Sequence, residues 1–461
     1  MALLKAFIVP HPPIIIPEIG RGEERKISNT IQAFHTIAKE INALKPETII
    51  IISPHAKAYS DCFSLPLCDR AEGTFRDFGA SQVKLNVSYN QPLIKSIVHN
   101  SNKMGIDIYS QVIQKDSLDH GTMVPLYFIH QYNQDFSVVR IPLSGLSSEI
   151  HYKLGQSIRK AIDDTNQKVV IIASGDLSHK LKKDGPYGLS KEGPLFDQEI
   201  TEAMAKGDFL KLMTMDEDFC YQAAECGRRS FIIMAGILDG YSVASKLLSY
   251  EGPFGVGYAV AEFEPLNKDE SRHFLNVYET QLIETAQLRK NNEDSYVQLA
   301  RNSLENYVLT NKTIKVPEGL PSEMLKQKAG VFVSLKIAGA LRGCIGTTGP
   351  TTENIATEII QNAISAGLKD PRFSPVEMNE LGKITYSVDV LGKAEAIQSK
   401  AELDPIRYGV IVRYLYKSGL LLPNLEGVDT VEEQLSIALR KAGIKESEPY
   451  SIQRFEVIRH Y

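Results

Sequence analysis

The sequence predicts two unlike halves: an α/β first half, with a mostly parallel central sheet and helices on both faces, and an α+β second half. Three observations predict this. Short continuous apolar runs alternate with amphipathic stretches up to about residue 264. The composition then turns polar over residues 264–270. Beyond about residue 294, strand-like and helix-like runs stop alternating. Parallel strands buried on both faces read as unbroken apolar runs, and the helices that connect them carry one apolar stripe.

The elements follow in order. Residues 4–9 form an apolar run that ends in Pro10-His11-Pro12-Pro13. Residues 22–44 are polar, with Ile27, Ile31, Phe34, Ile37, Ala38 and Ile41 at helical spacing. A β-branched run at 48–52 stops at Ser53-Pro54-His55. An amphipathic helix is expected over 93–104, strands over 138–143 and 169–173, and a helix over 150–163. Residues 265–293 read as a polar, partly helical connector. The second block, 294–461, opens with a helix at 295–309 and continues with strands at 330–337 and 384–390 around a helix at 353–366. Strands at 409–413 and 419–422 and a helix at 430–442 complete it. No internal repeat is evident.

Composition narrows the function classes. The 461 residues are 43% hydrophobic and 23% charged, which excludes a disordered or low-complexity chain. Lys+Arg total 51 against 56 Asp+Glu, a net charge of −5, so a nucleic-acid partner is not expected. No stretch approaches the roughly 18 apolar residues of a membrane span. The apolar run near the N-terminus is broken by His11, Pro12, Pro13 and Pro17, unlike a signal peptide. Five sparse cysteines fit a reducing compartment, so a cytoplasmic location is expected.

Three of the ten histidines follow strand runs: His11, His55 and, within Ser174-Gly175-Asp176-Leu177-Ser178-His179, His179. A fourth, His120, lies in Asp119-His120-Gly121 before an apolar helix. Open α/β sheets bind ligands beyond the carboxyl ends of their strands, so these histidines can converge. Each alone also reads as a loop or capping residue. Two histidines and one carboxylate on one face of an octahedron leave positions open for substrate and oxygen. Glu225, in Ala223-Ala224-Glu225-Cys226-Gly227, is the carboxylate to consider. Its other reading is a helix-start glutamate favoured by the macrodipole.

Pro10-His11-Pro12-Pro13, Ser53-Pro54-His55, Asp119-His120-Gly121 with Val124-Pro125-Leu126, the Ser174–His179 string and Glu225 together resemble the class III extradiol dioxygenase (LigB-type) superfamily, which includes the Memo-like proteins. The resemblance covers residues 1–264. It implies Fe(II), held by His11, His55 and Glu225, in a non-haem oxidoreductase that inserts O2 into a catechol-like aromatic substrate. It assigns His179 as acid/base and His120 as a pocket histidine bonding oxygen or substrate. An imidazole suits proton transfer near neutral pH. Asp176 would orient His179 or cap a turn. The same ligand types also hold Zn or Cu. The alternative implied by Memo-like relatives is a redox or binding module without dioxygenase activity.

In the second block, Leu341-Arg342-Gly343-Cys344-Ile345-Gly346 places an arginine two residues before a cysteine. A guanidinium there can favour a reactive thiolate at Cys344, whereas the bland reading is a buried small hydrophobe. This string, Asp370-Pro371-Arg372-Phe373-Ser374-Pro375, Gly419-Leu420-Leu421-Leu422-Pro423 and the tail from Gly427 through Asp429 to Leu435 resemble the AMMECR-type domain. The fusion resembles the AmmeMemoRadiSam system, which implies a radical SAM protein as partner. The chain itself lacks the Cys-x-x-x-Cys-x-x-Cys motif of such enzymes. A homo-oligomer is compatible with the sequence.

Other chemistries find less support. Gly-x-Ser-x-Gly is absent around Ser174 and Ser178, no Walker A string occurs, and Gly255-Val256-Gly257 is too short for a dinucleotide fingerprint. Lys180, Lys182 and Lys183 either attract an anionic substrate or form a solvated loop.

Overall fold

The computed structural model describes residues 2–425, 428 and 430–461. Gly427 and Asp429, part of the expected C-terminal motif, lie outside the described residues. The chain divides into two compact units, Met1–Tyr278 and Glu279–Tyr461.

The first unit is an α/β sheet domain. Its strands are β1 (Leu3–Val9), β2 (Thr48–Ser53), β3 (Ser137–Pro142), β4 (Val169–Ser174), β5 (Tyr241–Glu251) and β6 (Tyr258–Lys268), in the spatial order β5-β6-β1-β4-β2-β3. β1, β4, β2 and β3 run parallel, while β6 lies antiparallel to β1 and pairs with β5 as a hairpin at one edge. Every residue of β2 and β4 is buried, because helices cover both faces. Helices α1 (Ser28–Leu44) and α2 (His120–Ile129) pack together on one side. Helices α3 (Ser148–Thr165) and α5 (Arg228–Ile237) pack together on the other, with α4 (Glu192–Lys206) against β5.

The parallel order fixes where chemistry can gather. Val9 pairs with Ser174 and Ile52 with Ala173, so β1, β4 and β2 end level with one another. Residues just past those ends meet on one rim. The β5–β6 hairpin was not expected. β5 has only one fully buried residue and no continuous apolar run. Short strands Phe63–Leu67, Arg70–Phe75, Ala80–Ser88 and Ile108–Val112, also unread, form two small sheets outside the main one. Of the expected connector, residues up to Lys268 belong to β6, and Phe274–Lys290 form helix α6, within which the two units divide.

The second unit is mixed α+β. Strands β7 (Val331–Ile337), β8 (Ala340–Gly346), β9 (Thr385–Leu391) and β13 (Val457–His460) form an antiparallel sheet in the order β8-β7-β9-β13. Helices α7 (Ser295–Thr310) and α8 (Ile355–Leu368) cover it. Strands β10 (Gly409–Tyr414), β11 (Lys417–Leu421) and β12 (Ser451–Phe455), with Glu395–Ala396, form a second sheet under α9 (Val431–Ala442). Among the described residues no helix is long and apolar enough to cross a membrane.

Candidate metal centre

His11 leaves β1 two residues past its end and is almost fully buried. Its backbone N–H donates to Asp176 Oδ1 at 2.7 Å, which ties the loop after β1 to the loop after β4. Its Nδ1 lies 2.9 Å from Ser174 Oγ, and that hydroxyl donates to the Gly121 carbonyl at 2.7 Å. With its proton committed to Gly121, Ser174 can only accept from His11. His11 is therefore the Nδ1–H tautomer, and its Nε2 carries the lone pair. Such a partner behind an imidazole is the usual support of a metal-ligating histidine.

That Nε2 faces two further donors. His55 Nε2 lies 2.9 Å away and Cys226 Sγ 3.6 Å away. One ligand atom from each of the three residues falls within 4.8 Å of the others. His120 stacks on His55 with ring centroids 4.1 Å apart, and its ring lies 5.4 Å from that of His11. All four histidines are held neutral. Burial pushes His11 well down and His55 to about 4, with His120 adding to the effect on both. Burial also lowers His120 and His179. Neutral imidazole is the form that binds metal or accepts a proton.

Close backbone approach makes this convergence possible. A Cβ on Gly175 would sit 2.1 Å from Gly227 Cα, so two loops touch there and bring Cys226 onto the β1–β4 rim. A Cβ on Gly121 would sit 2.5 Å from Ser53 Oγ, where the start of α2 meets the end of β2. Asp119 locks that junction. It caps α2 by accepting from Thr122 N and Oγ1, each at 3.0 Å, and also accepts from Ser53 Oγ and from Arg140 Nη1 at 3.2 Å. Ser53 Oγ in turn accepts from the His55 backbone N–H at 3.3 Å. Asp119 thus sets the positions of both His55 and His120, a role the sequence reading did not assign.

Glu225 does not join the cluster. Its carboxylate accepts from the Arg228 backbone N–H at 2.6 Å, at the start of α5. The helix terminus and the Arg228 guanidinium draw it there, and Cys226, the next residue, supplies the third donor. Ala224 adopts φ 52, and this left-handed residue shapes the turn carrying both side chains. Burial, with Asp176 and Glu225 nearby, pushes the Cys226 thiol well up. A bound cation would reverse that and hold the thiolate.

Two other roles also shift. Asp176 bonds the backbone of His11 rather than the His179 imidazole, and burial raises its carboxyl to about 7. His179 is held by its own backbone N–H to the Ala223 carbonyl at 3.1 Å, and its ring lies 5.1 Å from that of Tyr187. On the other side, Phe78 meets His120 at 5.4 Å. Both aromatics are exposed, so two rings flank the histidines at the surface.

In the second unit, Arg342 does not serve Cys344. Its Nε and Nη2 grip Glu380 at 2.7 and 2.9 Å, and its Nη1 donates to the Ser374 carbonyl. Arg372, 28 positions away in sequence, donates instead to the Cys344 carbonyl and pairs with Asp370, which accepts from the Cys344 N–H. The thiol itself accepts from Ser334 Oγ at 3.2 Å across the β7–β8 ladder.

The fold is an α/β protein in which imidazoles and a thiol that could hold a metal ion gather at the carboxyl rim of a parallel sheet. The comparisons give the family. The family model described as the catalytic LigB subunit of aromatic ring-opening dioxygenase matches residues 5–261, and the AMMECR1 model matches residues 297–460. The chain belongs to the LigB family, with an AMMECR1 domain joined to it. A Clostridium acetobutylicum protein, CA_C1420, is 45% identical over 100% of this chain and 99% of its own length. A Thermotoga maritima protein is 51% identical over 36% of this chain and 98% of its own length. The crystal structure of PH0010 from Pyrococcus horikoshii covers 36% of this chain and 88% of its own, with 32% identity and a TM-score of 0.34.

Proposed function

We propose that this chain is a Memo-like metal-binding redox module, and that His11, His55 and Cys226 hold a thiophilic ion, copper or zinc. The carrying observation is the donor set: two neutral imidazoles and one thiol within 4.8 Å, with the Glu225 carboxylate turned onto a helix terminus. A thiolate beside imidazoles favours copper or zinc over the harder oxygen-rich site of ferrous iron. The bound ion would supply Lewis acidity or electron transfer. His11 is oriented by Ser174, His55 by Ser53 and Asp119, and His179 and His120 stand by as neutral proton acceptors.

Metal analysis of protein purified without oxygen tests the reading. Cys226→Ser is expected to lose the metal and Glu225→Gln to keep it. The opposite pattern, with ferrous iron bound, would establish the ring-cleaving reading. That second reading draws on the two exposed rings, Phe78 and Tyr187, which suit a flat aromatic substrate. O2 consumption across a catechol panel separates the two. Service to a radical SAM partner, drawn from the domain fusion, predicts co-purification with such a protein.

A further inference from the structure

In the second unit, β10 and β11 are joined by the shortest of hairpin turns. Tyr414 pairs with Lys417, so Leu415 and Tyr416 are the whole connection. Such turns favour Asn, Asp and Gly, because they hold at least one central residue at positive φ. Leu415 takes that place at φ 52, where its Cβ crowds the following carbonyl. Neither side chain packs on the fold to compensate: Leu415 is 80% exposed and Tyr416 90%. A single exposed apolar side chain is ordinary. Here both residues of a turn are large and apolar, they stand at the tip of a hairpin, and one holds a conformation its side chain resists. Departures from local rules without a gain in packing fall at functional positions.

The surroundings of the tip are basic. The C-terminal end of α9 reaches the hairpin beside the turn, where Lys417 Nζ donates to the Gly443 carbonyl at 2.7 Å. β12 opens there too, with Ser451 opposite Arg413. Segments 413–417 and 440–448, which meet at this end of the sheet, carry five cations: Arg413, Lys417, Arg440, Lys441 and Lys445. Against them stand two carboxylates, Glu446 and Glu448. Glu448 is committed to Lys417 at 3.6 Å and to the Lys445 backbone N–H at 2.7 Å. Arg413, Arg440, Lys441 and Lys445 are exposed. The patch is thus positive by three charges in a chain whose net charge is −5.

Shape and charge together select the partner. A stable protein interface takes about 800 Å2 from each side, and two side chains on a convex turn fall far short of that. A lipid surface asks only for what is present: an aliphatic side chain to enter the acyl boundary, an aromatic ring with a polar end to sit at headgroup level, and cations beside them. The excess of cations selects anionic headgroups. We propose that the β10–β11 tip docks the chain on an anionic lipid surface, with Leu415 and Tyr416 entering it and Arg413, Lys441 and Lys445 on the headgroups. The contact is peripheral, since no described helix is long and apolar enough to cross a membrane. It does not depend on the metal chemistry of the first unit.

Co-sedimentation of the full chain with vesicles is the test, using phosphatidylcholine alone and phosphatidylcholine mixed with phosphatidylserine. The chain is expected to bind the mixed vesicles about tenfold or more tightly than the neutral ones, with the difference shrinking in high salt. Leu415→Gly combined with Tyr416→Ser puts turn-forming residues at the tip. This variant is expected to lose about tenfold or more in vesicle affinity while its Tm stays level or rises. Lys441→Gln combined with Lys445→Gln should weaken binding to mixed vesicles about fivefold for each cation removed. Affinity for the mixed vesicles that falls in both variants supports the docking surface. No binding to mixed vesicles, equal affinity for neutral ones, or indifference to either variant overturns it.

Discussion

Cys226 in the first unit and Cys344 in the second are both half-buried thiols, but their surroundings differ in kind. Cys226 faces ring nitrogens brought from the ends of two parallel strands. Cys344 sits inside an antiparallel ladder, and its partners are one hydroxyl and backbone-directed groups. The difference comes from topology. Parallel strands deliver side chains from distant parts of the sequence to one rim, whereas an antiparallel edge strand mostly meets its own neighbours. A sharp local motif such as Leu-Arg-Gly-Cys-Ile-Gly therefore says less about chemistry than scattered single residues that share a rim.

The largest effect that tests this contrast is loss of metal. His11→Ala is expected to take the metal content to near zero, and Cys344→Ser to leave it unchanged, by elemental analysis of the full chain. Metal lost in Cys344→Ser would break the contrast. Next comes Asp119→Asn. Asp119 touches no ligand nitrogen but fixes the Ser53–His55 turn and the start of α2. Loss of such support typically costs 10–100-fold in metal affinity. A competition titration against a chelator should show that drop, while Asp370→Asn beside Cys344 should show none.

In the second unit the expected response is in stability. Glu358 on α8 is buried and accepts from Thr347, Thr351 and Thr352 hydroxyls at 2.7–2.8 Å and from two backbone N–H groups. Glu358→Ala leaves those donors without their acceptor. The cost should be about 2–3 kcal/mol by denaturant unfolding, with metal content unaffected. An equally large change in metal affinity would show the two regions to be coupled.

Much of this was legible in the sequence, and the rest fails for identifiable reasons. Strands β2 and β4 read clearly because burial on both faces leaves apolar runs, and β1 reads the same way apart from Lys5, which pairs with Glu40 and Glu262. With the parallel order, that places His11, His55 and His179 on one rim. The choice between Glu225 and Cys226 was not legible. They are adjacent, and a left-handed residue together with a helix terminus decides which side chain turns inward. Arg372 rather than Arg342 beside Cys344, and Asp119 as the hub under His55, depend on contacts between residues far apart in sequence. Such contacts leave no local pattern.

The two regions also differ in the sign of their pH dependence. In the first unit Asp197 is 1% exposed, and burial raises its carboxyl from 3.8 to about 7, against the opposing hydrogen bonds from Tyr250 and Ser178. Its folded value lies above its unfolded one, so the folded state keeps a proton that the unfolded state loses. Its contribution is complete below about pH 4 and disappears as pH rises through 7. In the second unit the signs reverse. Arg372 holds Asp370 well below the usual carboxylate range, and for Glu358 the threonine hydrogen bonds outweigh burial and lower it too. Their contributions are present above about pH 4 and are lost in acid. Asp197→Asn is nearly isosteric and can still accept from Ser178 N while its amide donates to Tyr250. Denaturant unfolding of the variant between pH 4 and 7 should lack one proton's share of the slope, at most about 1.4 kcal/mol per pH unit. Asp176, also raised to about 7, keeps the remaining slope from vanishing. Above pH 8 the variant should be more stable than the parent, because no charge remains buried at that position. An unchanged slope would mean that Asp197 is ionised in the folded state at neutral pH, and the contrast in sign would then rest on Asp176 and Glu225, whose carboxyls burial also raises.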